Sequence, residues 1–251
     1  MLAKTHISAD PYLRERLEPR PGDPHYLHLS DLLLALRRVR PEQAGRVLDF
    51  GCGGSPYREL FPGQIYHRAD FPGFADLDFE FGEDSAIAAP DADYDLVLST
   101  QVLEHVREPA RYLAECARLL RPGGRLILST HGLFEEHGCP YDFQRWTADG
   151  LRLAIERSGL QVRRTFKLTN GARALFFFAR HLHPVLITGD RSWLGWGLRL
   201  VKRVLHRRPQ AVDRFCDRAF PVDARVHEVT ATSAGSSVYI ALVIEAVKPV
   251  R

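Results

Sequence analysis

The sequence predicts an α/β protein built on a doubly wound, mostly parallel sheet. Three observations carry that prediction. Residues 46 to 62, RVLDFGCGGSPYRELFP, read as a buried strand that turns on glycines into the start of a helix. Apolar runs of strand length then alternate with helix-periodic stretches as far as residue 131, a pattern that calls for parallel strands covered on both faces. Gly51, Asp70, Asp84, Gln101 and His131 all fall at the C-terminal ends of those strands. Such sheets bind ligands there, near the switch in strand order.

Residues 1 to 25 are charged and punctuated by prolines, as expected of an arm lying over the domain. Tyr26 to Arg38, YLHLSDLLLALRR, has leucines at helical spacing and predicts an amphipathic helix. Tyr26 and His28 on it either face a ligand or cover a core edge, the commoner role of such residues. Pro41 to Gly45 ends that helix, and Arg46 to Phe50 is the first strand. Glycine at 51, 53 and 54 permits positive φ and close approach of a ligand to the backbone. A helix opening at Pro56 would aim free N–H groups at an anion. Asp49 adds a carboxylate, and the pair suits an amino-acid zwitterion. Pro56 stands where the third glycine of a dinucleotide fingerprint belongs, which argues against that class of cofactor.

Gln64 to Ala69 predicts a second strand ending on Asp70. A carboxylate at that tip, about 20 residues past the glycine turn, is placed to accept both hydroxyls of a ribose. The alternative is a turn aspartate ahead of Phe71-Pro72-Gly73. Asp76 to Phe81 predicts a short third strand, followed by Glu83, Asp84 and Ser85. Tyr94 to Ser99 is nearly continuously apolar, the mark of a buried parallel strand. Gln101 to His105 opens a short helix. Pro109 to Leu120 has apolar residues at i, i+3, i+4 and i+7 and predicts a crossover helix. Arg121 to Gly124 ends it before a strand at Arg125 to Ser129.

The chain has 251 residues, enough for one large α/β domain or a domain with an insertion. A formal net charge of +3 gives no argument for a nucleic-acid partner. Lysine occurs four times, so arginine supplies 30 of the 34 basic residues. Cys52, Cys116, Cys139 and Cys216 form no C-x-x-C pair, so neither a metal site nor a disulfide framework is indicated. No apolar h-region opens the chain and no apolar run reaches membrane-spanning length. A reduced, soluble, cytoplasmic enzyme is the expectation.

These motifs resemble the class I S-adenosylmethionine-dependent methyltransferases, the small-molecule branch in particular. VLDFGCGGSP is similar to the family's first motif, D-x-G-x-G; YDLVLSTQVLEHV to its fourth-strand motif; and LLRPGGRLILST to its fifth. The stretch YDFQRWTADGLRLAIERSGLQV is also typical, and the resemblance runs over roughly residues 45 to 165. It implies a Rossmann-like sheet of seven strands in the order 3-2-1-4-5-7-6. It implies S-adenosyl-L-methionine as cofactor, with Asp49, Gly51, Cys52 and Gly53 at the methionine end. Asp70 and Phe71 would meet the ribose. Asp84 or its neighbours Glu83 and Ser85 would meet the adenine amino group. Thr100, Gln101 and His105 would line the cofactor's other side. Ile87-Ala88-Ala89 is a thinner apolar stretch than the family's, so the choice between Glu83 and Asp84 stays open.

The family's sixth strand would fall near Gln161 to Leu168 and its seventh near Ser237 to Val247. About 65 residues intervene where the family has a short turn, and a loop that long needs structure of its own. Helix-like runs at Ala172 to His181 and Leu194 to His206 point to a helical cap over the substrate mouth. The expected division of this single domain is 1–44 arm and helix, 45–168 cofactor-binding core, 169–235 cap and 236–251 last strand.

Methyl transfer from a sulfonium is an in-line displacement in which positioning supplies much of the rate. An oxygen acceptor also needs a general base. His131, His137, Tyr141 and Asp142 are the candidates. His131 comes first, because it follows the fifth strand directly and an ordinary imidazole titrates near neutrality. Its alternative role is packing. Arg145 and Trp146 either grip a substrate or serve as a helix-start charge and a core anchor. The cap carries Phe176, Phe177, Phe178, Trp193 and Trp196 beside Arg199, Lys202, Arg203, His206, Arg207 and Arg208. A core stripe with a solvated basic face is the favoured reading there; peripheral contact with an anionic membrane is the other. The resulting expectation is methyl transfer to a small-molecule acceptor, on an oxygen of a saccharide, envelope precursor or natural product. A quinone or lipid methyltransferase and a non-catalytic cofactor-binding module are the alternatives. No metal is expected. Nor is a nucleic-acid partner, because STQV stands where amino-methylating enzymes of that class carry a D/N-P-P-Y-like motif. Oligomeric state is left open.

Overall fold

A computed structural model describes residues 10–181, apart from 75 and 139, and residues 192–250. One mixed sheet organises it. The strands are β1 (Ala44–Phe50), β2 (Gly63–Asp70), β3 (Phe79–Glu80), β4 (Tyr94–Thr100), β5 (Leu120–His131), β6 (Gln161–Asn170), β7 (Val226–Glu228) and β8 (Tyr239–Val247). Their order is β3-β2-β1-β4-β5-β8-β6-β7. The pairings among β1 to β5 are parallel. β8 lies antiparallel to both β5 and β6, and β7 antiparallel to β6. The expected order of seven strands is therefore present, with β7 as an eighth strand on the edge. β7 falls inside the stretch expected to form a helical cap, outside its two helix-like runs. It is three residues long, too short for a periodic signal, and Arg164 holds its Glu228 by an ion pair at 2.8 Å.

The strand period of two sorts the core into two layers. Val47, Leu96, Leu98, Ile127, Ala241 and Val243 face one way, against α2 (Tyr26–Val39). Leu48, Phe50, Val97, Leu126, Leu128, Leu242 and Ile244 face the other way, against α3 (Pro109–Leu119) and α4 (Ala148–Arg157). Thr147 caps α4 by accepting a bond from the Gly150 N–H at 3.1 Å. A short helix, α1 (Pro11–Leu17), precedes α2.

The insertion forms α5 (Ala172–His181), α6 (Trp193–Arg207), α7 (Pro209–Ala219) and α8 (Val222–Arg225). Ala174, Phe177, Leu205, Val212 and Cys216 pack with Tyr26 and Leu27 in a third cluster. A buried ion network staples the insertion to α2. Asp31 accepts from Arg173 at 2.8 Å, from Arg225 at 2.8 Å and from Thr169 at 3.0 Å. Full burial of Asp31 and Arg173 is tolerable only because each is paired.

Four expectations are corrected. The helix expected from Pro56 is a single 3-10 turn, Arg58–Leu60. Buried Tyr57, Leu60 and Phe61 pull that segment into the core, and Pro62 disfavours helix at Phe61. β3 spans two residues instead of Asp76 to Phe81. β5 begins at Leu120, so Arg121 to Gly124 belong to the strand and not to a turn before it. The cap's aromatic residues divide: Phe177 is core, but Trp193 is 84% and Trp196 65% exposed, so they form no core stripe. No described helix is long and apolar enough to cross a membrane.

Candidate active site

The glycine turn sits between the C-terminal ends of β1 and β2, next to β4. Gly51 has φ +78°, and a Cβ there would fall 2.5 Å from Val102, so only glycine fits. The N–H groups of Gly51 and Cys52 both donate to the Ala69 carbonyl, at 2.8 and 3.1 Å. Arg68 braces the turn from β2. It donates to the Gly53 carbonyl at 2.8 Å and to Ser55 Oγ at 2.9 Å. No long helix follows the turn, so anion binding by a helix dipole is absent from this site as described. The site is shaped instead by the backbone of the turn and by two carboxylates, Asp49 and Asp70, which suit cations and hydroxyl donors.

Asp70, at the tip of β2, accepts from the Gly53 N–H at 2.6 Å and from the Phe71 N–H at 2.7 Å. Each carboxylate oxygen keeps a further lone pair for a hydroxyl. Burial raises the Asp70 pKa, with those two N–H groups acting in the opposite direction. Asp49 is 2% exposed and accepts from the Tyr66 hydroxyl at 2.8 Å. Burial pushes it up to about 7, although Tyr66, Ser55 and Arg68 favour its charged form. A buried carboxylate short of a cation suits an ammonium group, which is the fit that a methionine end requires. Burial also pushes the Cys52 thiol up to about 12, which leaves it an inert wall of the turn.

Of the adenine-side candidates, Ser85 is buried with φ +59° and its N–H bonds the Gly82 carbonyl at 3.0 Å. Asp84 is exposed and accepts from the Ala86 N–H, whereas Glu83 is drawn off by Arg107 at 3.6 Å. Thr100 ends β4. Gln101 adopts φ +56° and is fixed from two sides. Its backbone and side-chain N–H groups donate to Ser129 Oγ, each at 3.1 Å, and its Oε1 lies 3.3 Å from His28 Nε2. His105, expected beside Gln101, instead turns to the loop after β5. Its Nδ1 lies 2.6 Å from the Tyr141 carbonyl.

That loop carries the base candidates. His131 ends β5 in a buried position, its ring stacked on Phe134 at 4.0 Å. His131 Nδ1 lies 2.7 Å from Oε1 of Glu104, a charge-pairing distance off the line of an ideal hydrogen bond. Thr130 donates to the other Glu104 oxygen at 2.7 Å. Burial raises the Glu104 carboxyl, but His131 and these hydrogen bonds outweigh it and hold it below the ordinary glutamate value. Glu104 comes from the short 3-10 turn Leu103–His105. His28 and His137 flank His131, with ring centroids 5.6 and 5.0 Å away. Burial pushes His28 well down and His137 down, which favours the neutral imidazole in both. Glu104, His131 and His137 bring one ligand-type atom each within 4.8 Å of one another. Of these, Glu104 is held by the Thr130 hydroxyl on one oxygen and faces His131 with the other.

Asp142 is a poor proton acceptor. Both terminal nitrogens of Arg145 hold it, one of them at 2.6 Å, and the His137 N–H donates to it at 2.8 Å. The Arg145 guanidinium keeps its carboxyl well below the usual carboxylate range. Arg145 is thus spent on the loop, and Trp146 packs against the core. Tyr141 is exposed. Two residues, Glu104 and Tyr12, and the contact made by His28 escaped the sequence reading. Glu104 lies within the fourth-strand motif, where Gln101 and His105 were the residues singled out. His28 reaches Gln101 from a helix 73 residues earlier. Tyr12, on α1, closes over the turn: a Cβ at Gly53 would meet its hydroxyl at 3.2 Å and one at Gly54 its ring at 3.3 Å.

A family model for methyltransferase domains matches residues 25–165, more than half of the chain. The chain belongs to that family, and it is an S-adenosylmethionine-dependent methyltransferase. A Mycolicibacterium smegmatis protein that carries the name of such an enzyme is 28% identical over 197 residues, 69% of this chain and 74% of the relative. A ubiquinone biosynthesis O-methyltransferase of Parvibaculum lavamentivorans is 31% identical over 136 residues, 47% of this chain. The chain spans about half the length of that relative, 49%. Among solved structures, a Thermotoga maritima S-adenosylmethionine-dependent methyltransferase covers 94% of each chain at 16% identity, with a TM-score of 0.54. The [4+2]-cyclase SpnF covers 89% of this chain and 82% of its own at 18% identity, with a TM-score of 0.52. These two likenesses bear on the fold alone, and the cyclase illustrates that one fold serves different reactions.

Proposed function

We propose that this enzyme methylates a hydroxyl oxygen of a small acceptor, with His131 as general base and Glu104 as the carboxylate that orients it. The observation that carries this reading is the Glu104–His131 pair, 2.7 Å apart and buried. Nδ1 faces Glu104, and Nε2, on the opposite edge of the ring, has no partner among the described residues. A base backed by an orienting acid is the general logic of activated nucleophiles. S-adenosylmethionine, when bound, supplies an electrophilic methyl group on a sulfonium. Asp49, Gly51, Cys52 and Gly53 would hold its methionine end, Asp70 and Phe71 the ribose, and Ser85 with Asp84 the adenine side. Thr100 and Gln101 would wall the methyl-bearing region, with Gln101 fixed by Ser129 and His28. His131 then takes the hydroxyl proton, and the buried Glu104 stabilises the imidazolium. His137 is the reserve base. His105 and Asp142 shape the loop. The loop's aromatic wall, Phe134 on His131, keeps water from competing for the methyl group.

The test uses methyl-labelled S-adenosylmethionine and a protein-free cell extract. Label on an oxygen of a small molecule is the expected result. Label confined to nitrogen, or to macromolecules added back, contradicts it.

A second reading, a lipid-soluble phenol or quinol as acceptor, is favoured by one observation. Trp193, Trp196 and Leu200 lie on one exposed side of α6, and Arg199, Arg203 and Arg207 are exposed beside them. Basic, aromatic amphipathic helices of that kind settle on anionic bilayers. The relatives active in ubiquinone biosynthesis agree with this. Flotation with anionic vesicles at low salt tests it, and absence of binding there removes it.

A further inference from the structure

We propose that His25, Glu135 and His181 form a binding site for a divalent transition metal of the zinc type, which clasps the inserted cap onto the loop beside the active site. The three residues come from separate parts of the chain. His25 immediately precedes α2, Glu135 lies in the loop after β5, and His181 ends α5. Each offers one ligand-type atom, and these atoms all lie within 4.8 Å of one another. Two imidazoles and a carboxylate are a common donor set for zinc. The inference stands apart from the choice of acceptor and of base, since none of the three residues serves in those roles.

The hydrogen bonding fits ligation. His181 Nδ1 lies 2.7 Å from the Phe177 carbonyl. A carbonyl can only accept, so Nδ1 carries the hydrogen and Nε2 keeps a free lone pair. That is the arrangement by which proteins orient metal-binding histidines. His25 presents the complementary anomaly. Its Nδ1 is buried and has no hydrogen-bond partner. An orphaned polar atom in an apolar setting is costly and calls for an occupant.

Ring stacking alone does not account for the cluster. The His25 and His181 rings do stack, 5.1 Å apart and 16° from parallel. Stacking leaves the His25 nitrogen unpaired, and it does not explain a carboxylate oxygen within 4.8 Å of a nitrogen on each ring. Phe134 and Phe177 wall the cluster, with ring centroids 6.3 and 6.4 Å from His25. An apolar shell of this kind keeps water from competing with protein ligands. With zinc–ligand bonds of about 2.0–2.2 Å, tetrahedral ligand atoms stand roughly 3.4 Å apart. Closing from an upper bound of 4.8 Å takes up to about 1.4 Å, and it calls for rotation of the imidazole rings out of their near-parallel stack as well as of the exposed Glu135 side chain. A fourth position remains for water. Phe134 also packs on His131 at 4.0 Å, so metal held at Glu135 would fix the wall of the base.

The test is titration of tag-free, full-length protein with zinc chloride by calorimetry, together with cobalt(II) absorption. One equivalent is expected to bind, with the intense visible bands of a four-coordinate cobalt site and a rise in melting temperature. His25→Ala and His181→Ala should each weaken binding by at least about tenfold, and Glu135→Gln by a smaller factor. Circular dichroism checks their folding. Glu135→Gln changes an exposed residue and keeps the test valid if a histidine variant misfolds. Three results overturn the proposal: no stoichiometric binding, a six-coordinate cobalt spectrum that the variants leave unchanged, or binding lost in His137→Ala but kept in His25→Ala.

Discussion

Replacing Asp70 by alanine tests the cofactor site at its most determined point. The carboxylate accepts two backbone N–H groups, from Gly53 at 2.6 Å and from Phe71 at 2.7 Å. It therefore shapes the turn and, in the proposed role, receives the ribose hydroxyls with its remaining lone pairs. A hydrogen bond to a charged group contributes about 1.5–3 kcal/mol. The net loss of one such bond corresponds to roughly 10- to 140-fold weaker affinity, at 1.4 kcal/mol per tenfold. Loss of turn geometry adds to this and does not offset it. The assay is calorimetric titration with S-adenosylhomocysteine, with circular dichroism as the folding control. Asp70→Asn retains one acceptor but turns an amide N–H₂ toward a backbone donor, so its affinity should fall as well. A folded Asp70→Ala protein that binds within about threefold of wild type would refute the ribose role, since a single bond of the cited size exceeds that margin.

Three further outcomes are expected. Asp49 has a folded-state pKa of about 7, above the ordinary aspartate value, so the free protein holds a proton there that the unfolded chain releases from about pH 4 upward. Its contribution to stability is therefore lost as pH rises through that window, and binding an ammonium group beside it at pH 6.5 should release protons. Calorimetry in two buffers of different ionisation enthalpy measures the release; the same release in Asp49→Asn contradicts the assignment. Asp31→Ala leaves Arg173 buried without its main partner and should cost about 3–5 kcal/mol in urea unfolding. A loss below about 1 kcal/mol would show that the network does not staple the insertion. Tyr12→Ala uncovers Gly53 and Gly54 and should speed cofactor dissociation several-fold in stopped flow, whereas an unchanged rate would detach α1 from the site.

The central parallel strands were legible because β1, β4 and β5 carry apolar runs whose two faces are both buried, whereas their order in the sheet followed only from the resemblance to the methyltransferase family. The turn at Gly51 was legible for a steric reason, since nothing larger fits beside Val102. The 3-10 turn after it was not, because the tertiary burial of Tyr57 and Phe61 overrode a helix-like string. β7 was invisible because three residues carry no period. The base candidates were found only as a set. His131 stood out by position, yet its partner Glu104 lies 27 residues earlier, and nothing in either segment announces the contact. Asp142 looked equally able until Arg145 was seen to hold it. The exposed tryptophans of α6 show the same limit from the other side. Composition alone does not reveal which face of an amphipathic helix finds a partner.

His131 is the residue on which the proposed proton transfer depends, and two measurements that compare His131→Ala with wild type test that role. Single-turnover methyl transfer to the identified acceptor should fall by about 10²–10⁴-fold, the range for loss of a general base. Affinity for S-adenosylhomocysteine should stay within about threefold, because the cofactor is assigned to Asp49, Asp70 and the glycine turn. Undiminished turnover in the variant, or a loss carried wholly by weaker cofactor binding, would contradict the assignment of His131 as the base.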